Sequence, residues 1–287
     1  TLMRMYAIGR THDLADPNTW LMRRAMLAHS QSPWYDRLLL RWSMEAIATS
    51  PEDVPSYLVM QTGRVLAKEQ KATKITLKAA TAAWTTLEHQ VFLRQIASGK
   101  EAAEWAEIQQ QLILEMRSVM PDCNQLEANF AEGLSAGNLD AEACHSFLVL
   151  YGLQKCDRPG LWDGAFAIAS KQGDDPWLLR LAAEEHFNRR EYAKSRLFRQ
   201  NACSLEKNNP LQAHDQLQIA ATYRAEKDYR QARTAIQNAI RLHPTWGEPY
   251  VQLIDTYLEG SESCTMSPFE RKAMYWLLMD ICQTLKS

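Results

Sequence analysis

The chain has 287 residues, enough for one large domain or two with a substantial buried core. Lys and Arg total 32 and Asp and Glu total 34, a formal charge of −2, which argues against a nucleic-acid binder with its basic excess or stripe. No run of 18 apolar residues is present, so no segment reads as a membrane-spanning helix, and no signal-peptide pattern is visible. Thr1 opens the chain without a Met, which reads as a fragment or a processed chain. Gly and Pro are scarce at 11 each, while the plentiful Ala, Leu, Gln, Glu, Arg and Met are helix formers. The expected class is all-α.

In chain order, helices are expected over 1–9, 18–30, 34–48, 53–69, 72–98, 100–119, 122–136, 139–155, 160–171, 176–188, 190–206, 211–226, 228–242, 246–259 and 267–285. The breaks carry turn punctuation: ADPN, QSPW, SPED, SGKE, MPDC, SAGNLD, CDRPG, GDDP, KNNP and HPTW. Helix pairs with short turns read as stacked helical hairpins. The first 120 residues show that rhythm and no clear repeat.

Near the middle, Cys123 opens one expected helix and Cys156 closes the next. In an antiparallel hairpin those ends lie side by side, so a disulfide is sterically allowed and would suit an oxidising compartment. The other reading is two unrelated thiols. Cys144, Cys203, Cys264 and Cys282 complete the six, with no CxxC and no zinc-type spacing to His.

The C-terminal half repeats itself. Tyr192 and Tyr229 are 37 apart (229 − 192), as are Ala202 and Ala239, and Ala183 and Ala220. Within residues 213–246, Ala220, Tyr223, Ala232, Ala239 and Pro244 stand at the spacing of a tetratricopeptide repeat (TPR), and the segment resembles that family. Residues 176–209 match less fully through Ala183, His186, Ser195 and Ala202, with the proline displaced to Pro210. Residues 139–175 look like a degenerate repeat. Residues 246–287 begin with Tyr250, Leu253 and Tyr257 and then lengthen the turn. Small residues let the helices approach, Tyr223 and Tyr229 fill the gaps, and Pro244 stops the second helix. A single hairpin cannot bury its own apolar face, so such repeats stack. The resemblance implies a right-handed α-solenoid, divided as degenerate hairpins over 1–120 and a TPR-like solenoid with an atypical last hairpin over 121–287.

HPTWGEPYVQLIDTYLEGSESC followed by PFERKAMYWLLMD is similar to a segment of TPR proteins of some bacterial envelopes. The matching residues are Pro244, Trp246, Gly247, Pro249, Tyr250, Cys264, Phe269, Glu270, Arg271, Tyr275, Trp276 and Asp280, with His243 and Met274 departing from that pattern; TLMRMY at the start also resembles it. The likeness covers about a third of the chain. It implies an extracytoplasmic scaffold without catalysis, in the bacterial periplasm or associated with the outer membrane, reaching a membrane complex through other subunits. A cytoplasmic site is the alternative. In this reading Ser267 caps the last helix with Glu270 closing a capping box, Pro268 takes its first position, and Tyr275 and Trp276 close the end of the core. Cys264 reads as a loop thiol or half of a crosslink.

Catalytic motifs are missing. His12, His29, His89, His145, His186, His214 and His243 are scattered without HExxH, and no glycine-rich nucleotide loop occurs. No metal or cofactor is expected. His186 follows Glu184 and Glu185, yet it holds an aromatic packing position. Of nine tryptophans (Trp20, Trp34, Trp42, Trp84, Trp105, Trp162, Trp177, Trp246 and Trp276) most are expected to pack between helices, with Trp34 and Trp177 the best candidates for exposure. Ligand contacts in a TPR stack come from side chains of the first helix of each hairpin, on the concave face. Carried across, those positions are Trp177, Arg180, Glu184 and Asn188, then His214, Leu217 and Arg224, then Glu248, Val251 and Asp255. The resemblance implies a protein or peptide partner. The alternative is an α-helical enzyme, or a carbohydrate-binding repeat protein, with its site in the groove.

Overall fold

The structure, a computed structural model, describes residues 35–49, 54–97, 102–137, 139–173, 175–262 and 267–286. Every regular element among them is a helix: α1 (Tyr35–Thr49), α2 (Ser56–Lys71), α3 (Leu77–Ala97), α4 (Ala102–Arg117), α5 (Cys123–Ser135), α6 (Ala141–Gln154), α7 (Pro159–Ala169), α8 (Pro176–Asn188), α9 (Tyr192–Leu205), α10 (Asn209–Ala225), α11 (Tyr229–Leu242), α12 (Gly247–Glu262) and α13 (Pro268–Lys286), with a 3₁₀ turn Ser170–Gln172 after α7. The expected helices 1–9 and 18–30 and the loop holding Cys264 lie outside the described residues. The helix expected to start at residue 72 begins later, at Leu77; the Thr76 hydroxyl accepts from Ala79 N–H, so the turn before it ends in a cap.

The chain separates into two compact units. The first takes 1–95, 101–138 and 149–157; the second takes 96–100, 139–148 and 158–287. In the first, α2 and α4 pack closely at Gly63, where an added Cβ would lie 2.0 Å from Leu112 Cδ2. Leu58, Val59, Leu66, Leu112 and Met116 are buried in this unit. Asp122 caps α5: its Oδ1 accepts from Gln125 N–H at 2.9 Å and Gln125 Oε1 accepts from Asp122 N–H at 3.0 Å. Gln154 donates to the Pro121 carbonyl at 3.0 Å, which brings the end of α6 against the start of α5.

In the second unit the helices from α8 onward stack in chain order as an α-solenoid of hairpins. Helix starts are set locally. Asp175 accepts from Trp177 N–H, Asn208 from Leu211 N–H and Asp228 from Gln231 N–H, while Pro176 and Pro210 lie in first turns. The 37-residue period is also written in the backbone. Arg190 and Lys227 (227 − 190 = 37) both turn left-handed at φ 63° and 62°. The next N–H in each turn bonds back into its helix, Glu191 to His186 O at 2.8 Å and Asp228 to Tyr223 O at 2.9 Å.

The core of α10–α12 is small-residue packing. Ala213, Ala220, Ala232, Ala235 and Ala239 are buried with Leu217, Ile219, Ile236 and Leu253, and Tyr223, Trp246, Tyr257 and Ile281 close over them. Ser267 and Glu270 form the expected box on α13: Ser267 N–H donates to Glu270 Oε2 at 2.8 Å and Glu270 N–H to Ser267 Oγ at 3.3 Å. The expectation that Tyr275 and Trp276 close the core is corrected, since both are more than half exposed. The inward positions of α13 are the buried Leu278 and the partly buried Ile281.

Candidate functional site

The first helices of successive hairpins, α8, α10 and α12, are joined directly by side chains. Arg180 of α8 donates from Nε at 3.0 and 3.2 Å and from Nη2 at 2.7 Å to the Asp215 carboxylate of α10. The same guanidinium reaches Glu206 at 3.0 Å, and Arg199 of α9 reaches Asp215 Oδ1 at 3.3 Å. Arg224 of α10 pairs with Glu259 of α12 and donates to Gln252. These links tie α8 to α10 and α10 to α12.

Asp215 is fully buried, at 0 % exposure, and Arg180 and Arg199 are buried beside it. Burial works against the Arg180 charge, but the bonds and charges of Asp215 and Glu206 outweigh it and hold its pKa above the ordinary value. For Arg199 burial wins over the attraction of Asp215 and Glu184, and its pKa is lowered. Burial also pushes the His214 imidazole well below 6.5, and the Arg199 and Arg180 charges push the same way. Glu206 has its pKa lowered: burial opposes its charge, but the Asn208 N–H and the Arg180 bond outweigh that.

The expected contact residues therefore differ in kind. Glu184, Asn188, Glu248 and Val251 are exposed, and Trp177, His214, Arg224 and Asp255 are half-buried. Arg180 and Leu217 depart from the expectation. Arg180 is consumed by Asp215 and Glu206, and Leu217 belongs to the apolar core, so both support the face and offer nothing to a partner. Asp215, Arg199, Glu206 and Glu259 were not singled out by sequence. Their partners stand 16 to 35 residues away, and no local pattern marks such pairs.

His186 packs as an aromatic residue. Its ring stacks on Phe198 at 5.2 Å and meets Trp162 edge-on at 6.1 Å, while Nδ1 lies 2.8 Å from Glu191. Trp42, Trp84, Trp105 and Trp162 are buried, Trp177 and Trp246 are half-buried, and Trp276 is exposed at 61 %. Trp20 and Trp34 lie outside the described residues. Cys123 and Cys156 are joined in a disulfide with Cα atoms 5.5 Å apart. Cys144 is buried, Cys203 half-buried and Cys282 exposed; burial raises the first two thiol pKa values. Among the described residues no three metal-ligating side chains gather, and no helix is long and apolar enough to cross a membrane.

The sequence matches no family model, and the comparison with curated proteins found no match. Eighteen chains of solved structures match, among them one in the crystal structure of the APC/C hetero-tetramer Cut9–Hcn1. That likeness covers 85 % of this chain and 54 % of the other, at 14 % identity and a TM-score of 0.36. The chain spans about half the length of that neighbour.

Proposed function

We propose that the chain is a non-catalytic scaffold that binds a partner protein or peptide through a TPR groove lined by the first helices α8, α10 and α12. One observation carries the reading. The three helices are bolted side by side by Arg180–Asp215 and Arg224–Glu259, and the row they form leaves Glu184, Asn188, Glu248 and Val251 open to solvent. A pre-arranged row of helix faces offers a long contact surface without reorganisation, which is how repeat stacks bind.

The setting we propose is an extracytoplasmic complex of a bacterial envelope. The Cys123–Cys156 disulfide supports an oxidising compartment, and the end segment from Pro244 to Asp280 resembles envelope scaffolds.

The test is site-specific photo-crosslinking in the native source. A crosslinker at Val251 is expected to capture one stoichiometric protein, and Glu248→Lys is expected to reduce that capture. The same crosslinker at Arg230, exposed on α11, is expected to capture nothing. Equal capture at both positions, or none at Val251, refutes the assigned face.

A further inference from the structure

Two ring contacts fix the register of the groove helices. Arg196 lies over Tyr223 at 4.4 Å, and Arg233, 37 residues on (233 − 196), lies over Tyr257 at 5.2 Å. Tyr257 of α12 therefore stands where Tyr223 stands on α10 (257 − 223 = 34). Ala183 and Ala220, both buried, align α8 with α10 in the same way (220 − 183 = 37). The place after Ala220 then gives a row across the three helices: Glu184, Ala221 and Asp255 (221 − 37 and 221 + 34). Glu184 is exposed, and Ala221 and Asp255 are half-buried. Val251 and Leu258, one turn either side of Asp255, share its face and are exposed at 45 % and 37 %. A small residue on the middle helix, with larger ones on both flanks, makes the row a trough.

The free charge of this face has one sign. Arg180 and Arg224 are the only Lys or Arg residues of α8, α10 and α12. Both are held by carboxylates, Arg180 by Asp215 and Glu206 and Arg224 by Glu259. Among the described residues no hydrogen bond reaches the Glu184 or Asp255 carboxylate. Each feels an arginine by charge alone, Arg199 and Arg224 respectively, and those two arginines are paired with Asp215 and Glu259. The second helices α9 and α11 carry Lys194, Arg196, Arg199, Arg230, Arg233 and Arg241 and no acidic residue. The stack is thus charged in layers, acid-rich on its first helices and basic on its second.

Resting on the groove reading above, we propose that the groove takes a cationic segment of its partner, an extended stretch in which lysines or arginines alternate with apolar side chains. Charge complementarity selects that occupant. The unbonded carboxylates attract a cation and repel an acidic segment, and Val251 and Leu258 gain when an apolar side chain covers them. The spacing agrees. Packed helices lie about 8–10 Å apart, so Glu184 and Asp255 stand about 16–20 Å apart across α10. An extended chain advances about 3.3 Å per residue, so cations about six residues apart meet both carboxylates. The stretch between them crosses Ala221, whose methyl group leaves it room.

The experiment is fluorescence anisotropy of the purified chain with three labelled peptides, (Lys-Ser-Leu)₄, (Glu-Ser-Leu)₄ and (Lys-Ser-Ser)₄. The first should bind, the second about tenfold more weakly or worse, and the third about threefold more weakly or worse for want of apolar cover. Glu184→Gln with Asp255→Asn should weaken the first peptide by about fivefold or more. Glu107→Gln with Glu132→Gln removes two exposed carboxylates of the first unit and should leave its affinity unchanged. Circular dichroism checks that the groove variant keeps its helices; if it does not, Glu184→Gln alone decides, with an expected loss of about twofold or more. Equal binding of the acidic peptide, binding of none, or indifference to the groove variant overturns the proposal. An equal loss from the Glu107 and Glu132 changes also overturns it, since the attraction is then general. Equal binding of (Lys-Ser-Ser)₄ overturns the apolar half. The groove reading fails separately. No capture by the crosslinker at Val251 refutes the groove, whereas capture of an acidic segment there keeps the groove and overturns the cationic occupant.

Discussion

Two neighbouring hairpins of the second unit share one period and close by different chemistry. In α10–α11, Ala220, Ala232 and Ala239 bring the helices together and the core is apolar. In α8–α9, Ala183 and Ala202 keep their places, but Ser195 replaces the third alanine and Arg180 and Arg199 are buried. The charges are answered by Asp215 on α10, with Glu206 at the end of α9 sharing Arg180. In a stack where each repeat touches only its neighbours, an irregular repeat has to be compensated by the next one. The less regular hairpin is therefore matched to its neighbour through buried charge, while the alanine hairpin meets its next neighbour through an apolar core and the less buried Arg224–Glu259 pair.

Breaking that match should have the largest effect. Asp215→Asn leaves the buried Arg199 without its ion-pair partner and Arg180 with Glu206 alone, and losing one member of a buried ion cluster costs about 3–5 kcal/mol. Urea unfolding should show it as a lower midpoint. A triple change, Arg180→Met with Arg199→Met and Asp215→Leu, should recover most of the loss, because a well-packed apolar replacement of such a cluster is close to neutral. A loss under about 1 kcal/mol for Asp215→Asn would mean that water already solvates the arginines.

The alanine hairpin should break through volume. Ala239 is fully buried, and forcing a leucine into a packed site costs about 1–3 kcal/mol. Ala239→Leu should lower the thermal midpoint, and Ala202→Leu at the equivalent place should do the same, since Ala202 is equally buried. A tolerant Ala202 would show that the charged hairpin is the looser of the two.

The alanine period was legible in the sequence because small residues at a fixed interval have one physical use, close helix approach. The Ser267–Glu270 cap was legible because its partners sit three residues apart. The ion cluster was not. Arg180 and Asp215 are 35 residues apart and Arg199 and Asp215 are 16 apart, so only the stacking register brings them together. Its repeat position alone puts Arg180 among the groove contacts. The outer face of α13 was misread for another reason: Met274, Tyr275, Trp276, Leu277, Leu278 and Met279 are consecutive, and a run apolar on all sides gives periodicity no face to choose.

A subtler probe of the charged side is pH. His214 has Nδ1 buried, and burial with Arg199 and Arg180 depresses its folded-state pKa well below 6.5. The unfolded chain gains a proton near pH 6.5 that the folded chain does not take up until lower pH. Stability should therefore fall as pH drops below about 6.5, by up to about 1.4 kcal/mol per pH unit from this one group, until the folded-state pKa is reached. His214→Gln should flatten that slope in melts compared between pH 7 and pH 5. An unchanged slope would assign the pH dependence to other histidines.

The smallest effect tests the two hairpins as alternatives at a single atom. Ser195 Oγ donates to the Ala183 carbonyl at 2.7 Å, from α9 back to α8. Thirty-seven residues on, Ala232 faces the equivalent Ala220 (183 + 37 and 195 + 37). The Ala183 carbonyl already sits in a helix ladder, so Ser195→Ala removes one bond without orphaning its acceptor. The expected loss is about 0.5–1.5 kcal/mol. Ala232→Ser places a hydroxyl where the Ala220 carbonyl can accept, and should stay within about 0.5 kcal/mol of the parent, the new bond offsetting the burial of a polar group. If both exchanges behave so, the backbones of the two hairpins are interchangeable and their difference lies in the charges alone. A strongly destabilising Ala232→Ser would show that α10 and α11 approach more closely than α8 and α9, leaving the hydroxyl no room to turn toward its acceptor.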